Sequence, residues 1–106
     1  MSDGKPLEVA VEQLLNLCNL YYLKITNYRC FQCGQVQNSK AKGYPDYHIP
    51  RLALYVECKM GKGRLSKDQK RVRDEILTNP MNTYLLVVEN VDTLLQFLKV
   101  RGYIKP

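Results

Sequence analysis

The chain has 106 residues, a formal net charge of +6 and 45% apolar residues. That length supports one domain, burying roughly 60–70% of the surface of the unfolded chain, and excludes a second core. No run approaches the ~18 apolar residues of a membrane span, and Met1-Ser2-Asp3-Gly4-Lys5-Pro6 lacks the apolar centre of a signal peptide, so a cytoplasmic chain without a membrane partner is expected.

The spacing of Leu7, Val11, Leu14, Leu15, Cys18 and Tyr22 predicts a helix over 7–22 with one apolar stripe. Glu8 borders that stripe, while Glu12, Asn16 and Asn19 share a more polar sector. Residues 21–29 are rich in aromatic and β-branched types and predict a first strand. Residues 30–44 are polar and turn-like and predict a loop, with an extra short strand possible near 46–49. Residues 51–60 predict a strand with Leu54, Val56 and Cys58 on one face and Tyr55, Glu57 and Lys59 on the other, ended by Gly61 and Gly63. Ser66 opens a helix that runs to about Leu77 and stops before Pro80; Ser66 and Gln69 have the spacing of a capping box. Residues 83–89 predict a buried strand, and 92–101 a final helix closed by Gly102. The order α-β-β-α-β-α places the chain in the α/β class, around a mixed sheet. It is a single domain over 1–106, with its motif-bearing core at about 7–101.

Lys59, Lys62, Arg64, Lys67, Lys70, Arg71 and Arg73 fall between positions 59 and 73. Such a cluster suits a polyanionic partner, nucleic acid above all, or else a solvated basic face. Lys62, Arg64, Lys67, Lys70, Arg71 and Arg73 are the candidate DNA contacts, made to phosphates rather than bases. The cysteines are Cys18, Cys30, Cys33 and Cys58. Cys30 and Cys33 have the spacing of half a zinc knuckle, but no second such pair exists, and a structural zinc needs four ligands. Reduced thiols rather than zinc are expected there. His48, the only histidine, lies near Asp46.

Pro45-Asp46 is followed, after ten residues, by Glu57-Cys58-Lys59. Glu57 and Lys59 are two apart on a strand and leave the same face, while Cys58 points to the core. Two carboxylates, Asp46 and Glu57, form a hard-oxygen pair suited to Mg²⁺ or Mn²⁺, and Lys59 sets a compact cation beside them. That combination suits phosphodiester hydrolysis, which needs a nucleophilic water and relief of charge on the phosphate.

These residues resemble the PD-(D/E)XK nuclease superfamily, and more narrowly its stand-alone virus-type replication-repair nuclease domains. The resemblance rests on Glu8-x-x-Val11-Glu12, Gly43-Tyr44-Pro45-Asp46, Glu57-Cys58-Lys59, Gly63 to Gln69, Val87-Val88 and Asn90-Val91-Asp92, and spans about residues 8 to 98. Asn79-Pro80-Met81-Asn82 stands where such domains commonly carry a glycine, and Cys30–Cys33 departs from their usual loop. The resemblance implies a restriction-endonuclease-like core, a central mixed sheet flanked by helices. It implies a Mg²⁺- or Mn²⁺-dependent DNA endonuclease acting as a homodimer on branched DNA such as four-way junctions. Glu8 would be the helix-borne acid, directly or through a water, with Glu12 its competitor. Asp46, Glu57 and the Cys58 backbone carbonyl would hold the metal, Lys59 would be the catalytic lysine, and Gln69 the motif glutamine. From the residues alone, Gln69 is equally a helix cap. Apolar residues Leu20, Tyr21 and Tyr22, in excess of a small core, agree with dimerisation. The rival readings are an inactive nucleic-acid-binding module, a nuclease for linear or single-stranded DNA, and a zinc-ribbon-like interaction protein.

Overall fold

A computed structural model describes residues 5–25, 27–29, 36–38 and 42–105. The elements are α1 (Lys5–Leu17), β1 (Leu23–Lys24), β2 (Asn27–Arg29), β3 (Val36–Asn38), β4 (Tyr47–Ile49), a 3-10 turn (Pro50–Leu52), β5 (Leu54–Lys59), α2 (Lys67–Ile76), β6 (Thr83–Val88) and α3 (Asp92–Val100). The main sheet is four-stranded and mixed, in the order β1-β4-β5-β6. β1 with β4 and β4 with β5 are antiparallel, whereas β5 with β6 is parallel. A parallel neighbour needs a long crossover, and α2 supplies it. β2 and β3 form a separate two-stranded sheet, with Asn27 opposite Asn38.

Alternation sorts the side chains. Tyr47, Ile49, Leu54, Val56 and Val87 lie on one face, buried with Leu7, Val11, Leu15 and Leu20 from the α1 segment and Leu94 and Leu98 from α3. Burying such side chains contributes roughly 1.5–3 kcal/mol each relative to exposure. Glu57 alternates to the opposite face, toward α2, which buries none of its own residues in that core. The fold is therefore a small α/β domain with helices flanking a four-stranded mixed sheet.

The helix starts and stops have local causes. Ser66 caps α2 through a full capping box, its hydroxyl accepting the Gln69 N–H while Gln69 Oε1 accepts the Ser66 N–H. At the end of α3, Gly102 has φ +84°, and the Gly102 and Tyr103 N–H groups donate to Lys99 O and Leu98 O, a Schellman closure.

Several boundaries differ from the sequence reading. The first helix ends at Leu17 rather than 22, because Asn19 takes φ +57° and turns the chain. Leu20 and Tyr22 nonetheless reach the core: Leu20 is 3% exposed and Tyr22 packs against the cluster. Only Tyr21 of that trio is exposed, so the three do not form an uncovered apolar surface. The expected strand over 21–29 is divided between two sheets, and the expected loop over 30–44 contains β3. The strand read over 51–60 begins at Leu54, since Pro50 starts a 3-10 turn and Ala53 takes φ +49°. The short strand near 46–49 is present as β4. Among the described residues, no helix is long and apolar enough to cross a membrane.

Candidate active site

Asp46 precedes β4 and Glu57 lies on β5, both toward the same end of the β4–β5 ladder. The register pairs Tyr47 with Val56, so Asp46, just before Tyr47, and Glu57, just after Val56, lie at the same end of the ladder. Asp46 is anchored twice: its carbonyl accepts the Ile25 N–H at 2.8 Å, and its Oδ2 accepts the Cys58 N–H at 2.8 Å. The carboxylate thus lies along the edge of β5 rather than swinging in water. Its neighbour Pro45 is fully buried, which fixes the approach of the chain.

Gly43 explains why this turn can sit where it does. It has φ +86°, and a Cβ there would lie 2.5 Å from the Asp68 carbonyl carbon and oxygen. Only glycine allows the 42–46 segment to touch the first turn of α2 in this conformation.

Glu57 is 3% exposed, the one charged residue buried in the described core. A buried carboxylate needs partners to offset its lost hydration. Gln69 Nε2 donates to Glu57 Oε2 at 3.2 Å. The capping box decides which end of the Gln69 amide does this: Oε1 is engaged by the Ser66 N–H, so the NH₂ end faces Glu57. Gln69 is therefore both helix cap and partner of the Glu57 carboxylate. Lys59, half-buried, leaves the sheet on the face of Glu57, and its carbonyl accepts the Glu89 N–H. Gly63 has φ +65° and lies against Val88, where a Cβ would come within 2.6 Å of the valine side chain.

Glu8 and Glu12 approach from α1. Glu12 Oε2 accepts the hydroxyl of the buried Tyr47 at 2.5 Å, and Oε1 accepts that of Tyr22 at 3.4 Å. Lys24 Nζ lies 3.2 Å from Glu12 and 3.9 Å from Glu8. Burial alone would raise the Glu12 pKa, but hydrogen bonds from Tyr47 and Lys24 and the Lys24 charge outweigh it, and the net shift is downward. The Cys58 thiol is pushed up, first by burial and then by the charges of Asp46, Glu8, Glu57 and Glu12. Carboxylates from both sides of the sheet thus gather around the end of β5. The sequence favoured Glu8 over Glu12 as the helix-borne acid; here Glu12 holds the closer contacts and Glu8 the more distant one. Spacing along the chain did not point to Lys24 or Tyr47 as partners of these acids, and it marked Tyr22 only as an apolar residue. A lysine inside the apolar run Tyr21-Tyr22-Leu23-Lys24-Ile25 was the available signal.

Among the described residues, no three His, Cys, Asp or Glu side chains converge closely enough to hold a metal alone. Mg²⁺ does not require that: it takes one or two carboxylates and fills its shell with water and phosphate oxygens. Asp46 and Glu57 are the carboxylates at this end of the sheet that could serve in that way.

The basic residues divide. Arg71 pairs with Asp68 at 3.6 Å, Arg73 with Asp74 at 3.0 Å, and Lys42 with Asp68 at 3.3 Å. Lys62, Arg64, Lys67 and Lys70 are exposed and, among the described residues, form no ion pair. His48 stacks on Tyr55 with centroids 4.4 Å apart, on the Glu57 side of the sheet, and burial holds its pKa below the ordinary value. Cys18 and Cys58 are free thiols packed against the core. Cys30 and Cys33 lie outside the described residues. The chain matches no family model, no curated protein and no solved structure.

Proposed function

We propose that this chain is a Mg²⁺- or Mn²⁺-dependent endodeoxyribonuclease with a restriction-endonuclease-like core. The observation that carries the reading is that Asp46, bound to the Cys58 N–H, and the buried Glu57 lie at the same end of the β4–β5 pair. Glu57 is buried and held from α2 by Gln69, and Lys59 shares its face.

Asp46 and Glu57, with the Cys58 carbonyl, would hold the cation. When bound, such a cation polarises a phosphoryl oxygen and lowers the pKa of a bound water. Lys59 places a positive charge where the scissile phosphate accumulates negative charge. Gln69 keeps the Glu57 carboxylate aimed. Lys62, Arg64, Lys67 and Lys70, on the glycine-rich turn and the exposed part of α2, grip backbone phosphates and set the register of the duplex. Glu8 and Glu12 complete the acidic end of the sheet.

The preferred substrate is branched DNA, and the working form a homodimer whose two sites cut symmetrically. Support for association comes from exposed apolar side chains at the ends of α1 and α3, Leu17 at 83% and Val100 at 82%, with Tyr21 at 68%. The test of the chemistry is Asp46→Asn. Asparagine can still accept the Cys58 N–H through its carbonyl oxygen, so the fold should persist while metal-dependent cleavage is lost. Undiminished cleavage by the folded variant would refute the assignment.

A further inference from the structure

The face of the sheet that carries Glu57 also carries an aromatic row. His48 pairs with Leu23 on one side and Tyr55 on the other, and Tyr55 pairs with Tyr84, so these side chains leave the sheet together. Tyr55 lies two positions before Glu57 on β5, which sets the row roughly 7 Å from the buried carboxylate on the same face. The His48 and Tyr55 rings are stacked, with 4.4 Å between centroids and 8° between planes, and Tyr44 meets Tyr55 edge-on at 6.2 Å.

A ring that stacks on its cross-strand neighbour turns its other side along the row. For His48 that side looks toward β1, where Leu23 is 42% exposed. Among the described residues, Tyr55 is the only ring stacked on His48, and α2 packs at the far end of the row, against β6. His48, Tyr55 and Tyr44 are each only partly buried. The border is cationic: Lys67 and Lys70, exposed and without an ion pair among the described residues, flank the turn of α2 that touches Gly43, the neighbour of Tyr44. Flat rings beside free cations match the two parts of a nucleic-acid strand, since bases stack on aromatic side chains while cations track the phosphates. A base inside a duplex has both faces covered by its neighbours, so only one out of the helix can offer a face.

We propose that His48, backed by Tyr55 and Tyr44, is a stacking platform for an unpaired base of the DNA substrate. The base lies over Leu23 as the next plane of the Tyr55–His48 stack, with its phosphate toward Glu57. The proposal rests on the DNA-cleavage reading above and adds a selection to it: DNA with a base out of the helix is held in preference to continuous duplex.

The test is binding, in EDTA, of a duplex with a single-stranded overhang carrying 2-aminopurine, beside a fully paired duplex, by wild type, His48→Leu and His48→Phe. Leucine keeps an apolar side chain without a flat ring, and phenylalanine keeps the ring; circular dichroism checks that each variant is folded. Wild type should quench the 2-aminopurine fluorescence. His48→Leu should lose the quenching and bind the overhang DNA roughly five- to thirtyfold more weakly, with its affinity for paired duplex unchanged, and His48→Phe should keep both properties. Full quenching and affinity in His48→Leu, or an equal loss on both DNAs, would overturn the proposal and leave the His48–Tyr55 pair as cross-strand packing. Absence of binding to either DNA by the folded wild type would instead overturn the DNA reading beneath it.

Discussion

Gln69 joins a helix cap to a buried carboxylate, and the two roles can be separated by their free energies. Ser66→Ala removes the hydroxyl that accepts the Gln69 N–H at 3.2 Å. Loss of an N-cap side chain costs about 1 kcal/mol. Gln69→Ala removes the acceptor of the exposed Ser66 N–H, which water replaces at a cost of roughly 0.5 kcal/mol. It also removes the donor to Glu57, and a hydrogen bond to a charged group is worth about 1.5–3 kcal/mol. Because Glu57 is 3% exposed, water does not readily replace that donor. Gln69→Ala should therefore destabilise the protein by about 2–3.5 kcal/mol, clearly more than Ser66→Ala. The assay is urea unfolding followed by far-ultraviolet circular dichroism, with the m-value checked for constancy. If Gln69→Ala costs no more than Ser66→Ala, Gln69 is only a cap and the Glu57 contact contributes nothing.

Further consequences can be measured separately. Gly43→Ala should cost at least about 2 kcal/mol, since φ +86° is combined with a backbone clash, whereas Gly61→Ala, at φ +69° in open space, should cost about 1 kcal/mol; equal losses in thermal unfolding would contradict the close approach to α2. The Glu12 pKa is lowered below its ordinary 4.5, so its stabilisation is present above that value and lost as pH falls through the depressed one; Glu12→Gln should therefore lessen the loss of stability on acidification below about pH 4.5, and an unchanged acid transition would oppose this. Lys24 is raised above its ordinary 10.5, so its share is complete below that pH and disappears only as pH rises through the raised value, as alkaline unfolding of Lys24→Gln would show. Lys67→Ala with Lys70→Ala should weaken DNA binding and reduce the salt slope by about 2, while Arg73→Ala, whose guanidinium is engaged by Asp74, should alter it less.

The elements with strong local signals were legible in the sequence. α2 starts at its capping box and α3 ends at Gly102, because both boundaries are set by residues within one turn. The face assignment of β5 followed from strict alternation, and it put Glu57 and Lys59 together before any tertiary contact was known. Tertiary effects hid the rest. The apolar stripe of α1 continues through Tyr22 in sequence, but a left-handed residue at Asn19 ends the helix while still delivering Leu20 and Tyr22 to the core. The division of 21–29 between two sheets depends on pairing with β4 and β3, partners distant in sequence.

The candidate site shows the same contrast. Asp46, Glu57, Lys59 and Gln69 formed an ordered pattern that could be read directly. Lys24, Tyr47 and Tyr22 did not, since their roles arise from the approach of α1 to the sheet, not from spacing along the chain. The basic run was visible as composition, but which of its members are already engaged depended on where Asp68 and Asp74 fall on α2.

The central claim is metal-dependent phosphodiester cleavage at Asp46, Glu57 and Lys59. Its most direct test is cleavage of a labelled four-way junction beside linear duplex and single-stranded DNA, in Mg²⁺, Mn²⁺ or EDTA, by wild type and Lys59→Ala. The account predicts cutting of the junction in either metal, none in EDTA, and loss of cutting with retained DNA binding in Lys59→Ala. Absence of cutting of every substrate by the folded wild type, or undiminished cutting by Lys59→Ala, would contradict it.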